Sequence, residues 1–151
     1  MNQKIDKTLH IRKLEEKDLD NGFLESLNSL SEGCMIEKAK EVYEKIQNNP
    51  HLTIFVAERE NTILGCHTVL LEPKFIHNGG IAAHFEDFVV GEQFRREGIG
   101  EKLFLNSVNF ARKNGAYKAV HTCQKHLIEY YTKFGMRTYS NSMRYDFKEN
   151  L

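Results

Sequence analysis

Apolar and polar residues alternate along several short segments of the chain, which is the pattern of a strand with one buried face. The first such segment is TLHIRKL at 8–14, and two apolar, β-branched segments at 52–58 and 62–72 predict a hairpin. Further strands are predicted for IAAHFEDFVV at 81–90, YKAVHTC at 117–123 and RTYSNSMRYDF at 137–147.

Other segments place apolar residues three and four positions apart, which predicts helices with one buried face. The predicted helices are 15–33, ended by Gly33; 35–49, ended before Pro50; 99–113, ended by Asn114 and Gly115; and 127–134, ended by Gly135. Strands therefore occur both in a hairpin and across helices. We expect one α/β domain covering 1–151, with a mixed central sheet of about six or seven strands flanked by about four helices.

The composition narrows the possible classes of function. Lys and Arg total 21 and Asp and Glu total 21, so the molecule has no overall field that attracts nucleic acid or an anionic membrane. Three cysteines, Cys34, Cys66 and Cys123, form no CxxC pair, and no apolar segment is long enough to span a membrane. We expect a cytoplasmic protein with no nucleic-acid or membrane partner, in which any anion site is local.

The segment FRREGIGEKLF at 94–104 places two glycines between a predicted strand and a predicted helix. Free N–H groups and the helix dipole favour an anion at a helix start, and the guanidinium groups of Arg95 and Arg96 suit phosphate oxygens. The sequence has neither the GxxxxGK[ST] motif of an ATP- or GTP-binding P-loop nor the third glycine of a dinucleotide-binding motif. A pyrophosphate on another carrier is one interpretation, and a surface turn with solvated arginines is the other.

The same turn resembles the acetyl-CoA site of the GNAT acetyltransferases, which has the form Gln/Arg-x-x-Gly-x-Gly/Ala. The matching residues are Arg95, Arg96, Glu97, Gly98, Ile99 and Gly100. The resemblance implies a GNAT fold in which backbone amides of this turn hold the pyrophosphate of acetyl-CoA. It further implies that the preceding strand pairs with the pantetheine arm through Phe88, Val89 and Val90.

Within that family the chain is similar to the glucosamine 6-phosphate N-acetyltransferases over about residues 9–147, through KFIH at 74–77, EDFVV at 86–90, RREGIGEKL at 95–103 and YYTKFGM at 130–136. The similarity implies acetyl transfer from acetyl-CoA to the 2-amino group of glucosamine 6-phosphate, by direct attack in a ternary complex. This reaction feeds UDP-N-acetylglucosamine synthesis. The similarity also implies a homodimer in which C-terminal strands help complete the partner's site. The alternatives are an acetyltransferase for another amine, such as a polyamine or a protein, and a non-catalytic CoA-binding protein.

Glu86 and Asp87 are adjacent in a predicted strand, so their side chains should leave opposite faces and one should lie among apolar neighbours. Burying a carboxylate among apolar side chains costs folding free energy. Such a position therefore indicates either a role in catalysis or substrate binding, or a hydrogen-bonded structural role. The resemblance favours substrate binding. It also implies that Tyr131 donates a proton or hydrogen bond to the CoA sulfur, and that a backbone N–H near Phe88 or Val89 polarises the thioester carbonyl. A place in the apolar core is the other interpretation of Tyr131.

The resemblance assigns Lys74, Phe75 and His77 to substrate binding, where lysine and histidine donate to phosphate or sugar oxygens. An ordinary solvated loop is the alternative. The nearest cluster of metal-ligating residue types is His121, Cys123 and His126. Its spacing matches no recognised metal site, so we expect no metal.

The chain departs from the similar enzymes at Thr122, where they have an acid, at Leu127, where they have a CoA-binding asparagine, and at Asp146, where they have a phosphate-binding arginine. Arg144 lies two residues before Asp146, hence on the same face of the predicted last strand, and is a candidate replacement. The identity of the general base stays open among Glu86, Asp87 and water.

Overall fold

A computed structural model describes residues 9–147 of the chain, and its sheet has five strands in the order β1-β2-β3-β4-β5. The first four strands pair antiparallel with their neighbours, whereas β4 and β5 pair in parallel. The strands are β1 His10–Lys13, β2 Leu52–Arg59, β3 Thr62–Pro73, β4 Ile81–Val90 and β5 Ala116–His121. The mixed sheet and the α/β class are confirmed, and the predicted hairpin is β2–β3.

The predicted last strand is wrong, which lowers the strand count from about six or seven to five among residues 9–147. Residues 136–147 have no regular secondary structure. A strand exists only through hydrogen bonds to a neighbour, and alternating side chains alone do not supply one. The segment instead exposes large apolar side chains: Tyr139, Met143, Tyr145 and Phe147.

The helices are α1 Leu24–Leu27, α2 Ile36–Gln47, α3 Ile76–Gly79, α4 Ile99–Lys113 and α5 Ile128–Thr132. Two of them, α2 and α4, agree closely with the prediction. The single helix predicted over 15–33 is instead a 3₁₀ turn, Glu16–Asp18, a π turn, Leu19–Phe23, and then α1. The break lies at Gly22, whose φ is +98° and where a Cβ would lie 2.4 Å from the carbonyl oxygen of Ile63.

The two faces of β2 pack against different helices. Ile54 and Val56 share a buried cluster with Ala39 and Tyr43 of α2. The alternate residues face α4: the Phe55 ring meets Phe110 at 5.0 Å, and Ala57 clusters with Ile99. The sheet is therefore the middle of three layers, as the strand period of two requires.

The chain divides into two compact units, Met1–His121 and Thr122–Leu151. The first contains the whole sheet and α1 to α4, and the second contains α5. The single domain covering 1–151 stays a prediction.

Candidate active site

The two parallel strands of the sheet separate halfway along β4. Their pairing runs from Ile81 opposite Ala116 to Phe85 opposite His121. Beyond that point Glu86 to Val90 continue β4 with no β5 partner, within the part of the chain that the structure describes. The main chain on this edge of β4 can thus bind an extended ligand as a further strand would, through its N–H and C=O groups.

A bulge lies in the same part of β4. Cys66 of β3 is opposite Val89 and Thr68 is opposite Glu86, so Asp87 and Phe88 together face His67 alone. Asp87 takes a positive φ of +48°. Both carboxylates, Glu86 and Asp87, are exposed. The expectation that one of them lies among apolar side chains is therefore wrong, because the extra residue interrupts the strand alternation on which it rested.

An aromatic cluster lies behind the bulge. The His67 ring is fully buried, stacks on Phe104 of α4 at 5.4 Å, and meets Phe88 edge-on at 4.8 Å. Burial lowers the pKa of His67 to about 3, so this imidazole is neutral. Neither of its ring nitrogens has a hydrogen-bond partner within residues 9–147. His67 therefore acts as an aromatic core residue that supports Phe88.

The glycine turn has the geometry of an anion site. A 3₁₀ turn, Glu92–Phe94, follows β4, and Gly98 with φ +77° leads into α4. The first turn of α4 is anchored by Ile99, which is 2% exposed and packs with Ala57 and Leu64. Because the first N–H groups of a helix have no carbonyl partner within it, they are available to a bound anion.

The charged side chains of the turn differ in their partners. Arg95 is exposed, and its Nε donates to the carbonyl oxygen of Val90 at 3.2 Å. Arg96 is exposed and has a positive φ of +70°. The carboxylate of Glu97 lies 2.6 Å from Nη1 of Arg59, so this acid is ion-paired rather than directed at a phosphate. The two arginines remain the cationic candidates.

Gly98 gives a test of the turn that has a matched control in Gly115, at the other end of α4. Both have a positive φ, +77° and +80°, and a Cβ at either would meet nothing within 4 Å. We expect Gly98→Ala and Gly115→Ala each to lower the free energy of unfolding by about 1 kcal/mol, from the same backbone strain. Only Gly98→Ala should raise the KM for acetyl-CoA, by about 10-fold, because the N–H groups at the start of α4 would shift. Equal KM values in the two variants would contradict this assignment.

The predicted substrate loop lies at the other end of β4. Lys74 Nζ is 2.6 Å from Glu72 Oε2, which also accepts from Nε2 of His84 at 2.7 Å. Phe75 is fully exposed, and the His77 ring lies 4.2 Å from that of Tyr117. Since Pro73 pairs with Ile81 and Thr68 with Glu86, about five residues of strand, or roughly 17 Å, separate the loop from the carboxylates. The fold of one chain does not bring the two groups together.

The second compact unit carries the predicted tyrosine and arginine. Tyr131, in α5, is 7% exposed, and burial raises the pKa of its phenol, so the hydroxyl stays protonated at neutral pH. Arg144 Nε lies 2.6 Å from Oδ1 of Asp146, with both side chains exposed. Asp146, where the resemblance expects a phosphate-binding arginine, is thus the ion-pair partner of Arg144, the candidate replacement for that arginine.

His121 is a residue that the sequence pattern indicated only as a poor metal ligand. It ends β5 where the two parallel strands part, and its Nδ1 lies 3.1 Å from the carbonyl oxygen of Phe85. Within residues 9–147, no group of three or more His, Cys, Asp or Glu side chains is arranged to hold a metal ion. The position of His121 at the end of a strand that runs parallel to its neighbour was the available signal, because ligands bind at such ends.

A pocket of about 340 Å³ lies elsewhere, between the α1 region and the β4–α4 turn. None of the predicted site residues lines it, and its charged side chains are the acids Glu25 and Glu92. Carboxylates repel a phosphate, so this pocket does not suit the anion predicted from the glycine turn. Among the described residues no helix has the length and apolar character needed to cross a bilayer.

Comparison with known proteins agrees with this geometry. Residues 18–136 match the family model described as "Acetyltransferase (GNAT) family". A glucosamine 6-phosphate N-acetyltransferase of Arabidopsis thaliana is 33% identical over 142 residues, which are 90% of this chain and 95% of that protein. Another from Oryza sativa subsp. japonica is 36% identical over 131 residues, 83% of this chain and 79% of that protein.

A solved structure is similar over nearly the whole chain. The crystal structure of glucosamine-6-phosphate N-acetyltransferase from Arabidopsis thaliana superposes with a TM-score of 0.89 at 32% identity, covering 94% of this chain and 100% of that one. The fold is thus shared with that enzyme. The chain belongs to the GNAT acetyltransferase family and, within it, to the glucosamine 6-phosphate N-acetyltransferases.

Proposed function

We propose that the protein transfers the acetyl group of acetyl-CoA to the 2-amino group of glucosamine 6-phosphate, and so supplies UDP-N-acetylglucosamine synthesis. The observation that carries this is the part of β4 that continues beyond its pairing with β5, beside the glycine turn, in a chain similar to a glucosamine 6-phosphate N-acetyltransferase over nine-tenths of its length. This part of β4 suits the amide-containing arm of CoA, and the helix start suits its pyrophosphate.

The predicted catalytic residues then have roles in direct attack by the amine within a ternary complex. Glu86 and Asp87 bind the amino sugar, and both are exposed at the bulge where an acceptor can reach them. A backbone N–H near Phe88 or Val89 polarises the thioester carbonyl, since the bulge interrupts the regular pairing there. Tyr131 donates a proton to the departing thiolate.

A homodimer is part of the proposal, and the C-terminal segment supports it. Residues 136–147 lack regular structure, and Met143, Tyr145 and Phe147 are exposed at a spacing of two. Large apolar side chains at alternate positions are typical of a strand. We therefore propose that this segment pairs with a strand of another copy of the chain. A cytoplasmic location is also proposed, because Cys34, Cys66 and Cys123 are all free thiols.

Thiol release from acetyl-CoA tests the proposal. We expect release with glucosamine 6-phosphate, and much less with glucosamine, spermidine or a lysine peptide in parallel reactions. Glucose 6-phosphate should inhibit, because it keeps the phosphate and lacks the amine. Release with spermidine or the peptide alone would indicate a different acceptor, and CoA binding without release for any amine would indicate a non-catalytic protein.

A further inference from the structure

His121 holds a defined tautomer at the place where β4 and β5 part. Phe85 is its partner in the last β4–β5 pair, and Nδ1 of His121 lies 3.1 Å from the Phe85 carbonyl oxygen. A carbonyl oxygen only accepts hydrogen bonds, so Nδ1 carries the proton and the lone pair of the neutral ring lies on Nε2. The backbone of β4 therefore sets the form of the imidazole that takes up a proton at Nε2.

The surroundings of His121 keep its ring neutral near neutral pH. Burial lowers the pKa of His121, while the hydrogen bond to Phe85 and the carboxylate of Glu86 act in the opposite direction. The β3 strand presents His67, at 6.3 Å between ring centroids, and this second imidazole is itself neutral. Helix α4 presents the uncharged ring of Phe104. Glu86 is thus a charged neighbour that stabilises an imidazolium once it forms.

Other side chains near this end of the sheet have another role or no basic group. Glu86 and Asp87, which are both exposed, bind the amino sugar under the proposed function, whereas His121 is half-buried. Thr122, the next residue along the chain, has a hydroxyl that does not accept a proton at neutral pH. Imidazole is the side chain whose ordinary pKa suits proton transfer near neutrality.

We propose that His121 is the general base for the acceptor amine, an assignment that rests on the proposed function. The ammonium group of the acceptor gives one proton to Nε2 of His121, which releases it to solvent. The freed lone pair forms the C–N bond with the thioester carbonyl carbon, and the C–S bond breaks with its electrons on sulfur. The second proton that the nitrogen loses balances the proton that the thiolate takes up.

His121→Asn tests the assignment, because the asparagine amide can still donate to the Phe85 carbonyl but has no basic nitrogen. We expect kcat to fall at least about 10-fold at neutral pH, with the KM for acetyl-CoA unchanged. The deficit should shrink as the pH rises above the pKa of the acceptor amine, because the substrate then arrives already deprotonated. His51→Asn, at an exposed histidine just before β2, should leave kcat unchanged. A deficit of equal size at every pH would overturn the proposal and assign a structural role.

A second measurement needs no acceptor. Nitrogen NMR of the histidine-labelled protein reports protonation and tautomer at each ring, with His121→Asn used to assign the signal. We expect a neutral ring with its proton on Nδ1 near neutral pH. An imidazolium, or a proton on Nε2, overturns the role of His121 even if the enzyme acetylates glucosamine 6-phosphate. A wild-type protein that acetylates only another amine overturns the proposed substrate instead, and the pH comparison then applies to that amine.

Discussion

Replacing Asp18 by asparagine will lower the free energy of unfolding by about 2 kcal/mol, because a buried carboxylate that accepts three hydrogen bonds, two of them from Arg12, becomes a neutral amide. Asp18 is 1% exposed, and its two oxygens accept from Nη1 and Nη2 of Arg12 at 2.6 and 2.8 Å. The backbone N–H of Glu15 donates to the same carboxylate at 2.8 Å, and Arg12 Nε reaches Glu58 of β2. These contacts connect the 3₁₀ turn Glu16–Asp18 to β1 and β2, so the substitution of Asp18 weakens the packing of all three elements.

Urea unfolding of the two proteins measures this difference. Glu41→Gln is the control, since Glu41 forms an ion pair with Lys38 at a comparable 2.6 Å but on the exposed surface of α2. Exposed pairs contribute little, so the unfolding midpoint of this variant should match that of the wild type. A similar loss in both variants would mean that burial is not what makes the Asp18 pair important.

The Asp18 pair also gives a pH dependence with a definite sign. Burial opposes the charged form of Asp18, but the hydrogen bonds from Arg12 and Glu15 outweigh it and hold the pKa of this carboxyl below its ordinary value. A carboxyl with a lowered folded pKa adds stability that is fully present above the unfolded pKa, near about 4, and is lost as the pH falls through the folded value. The stability gap between wild type and Asp18→Asn should therefore close below about pH 4.

The patterns that predicted the fold correctly are those that depend on one element alone. The apolar stripe of α2 and the alternation of β2 each record which face is buried, whatever the neighbours are. The helix predicted over 15–33 failed because two partners that lie outside it in the sequence interrupt it. Asp18 turns to Arg12, and Gly22 meets the Ile63 backbone, a contact that no local pattern records.

The candidate site shows the same limit. The glycine turn was predictable, because its chemistry lies within six consecutive residues. The bulge was not, since Asp87 and Phe88 are extra only in relation to the register of β3. The tautomer of His121 depends on a carbonyl oxygen 36 residues earlier in the chain, so the sequence showed the imidazole without its partner.

Replacing Tyr131 by phenylalanine should lower kcat about 100-fold, with KM values for both substrates changed less than about threefold. The phenol is 7% exposed, and burial raises its pKa, so the hydroxyl is protonated throughout the neutral range and acts as a donor. A proton donor matters only when negative charge develops on the sulfur, which happens in the transition state and not in the bound substrates. The effect should therefore be on kcat, as steady-state kinetics with acetyl-CoA and glucosamine 6-phosphate will measure.

Tyr130→Phe is the matched control for Tyr131→Phe. Tyr130 is the preceding residue of α5, its ring meets those of Tyr131 and Phe134, and it is less buried. Consecutive helical residues point about 100° apart, so at most one of the two hydroxyls faces the thioester sulfur. An unchanged kcat in Tyr131→Phe would remove this tyrosine from the mechanism, and a large loss in Tyr130→Phe alone would transfer the role to its neighbour. If kcat falls only in Tyr131→Phe, while the melting temperatures of both variants match the wild type, the hydroxyl of Tyr131 is the donor to the departing sulfur.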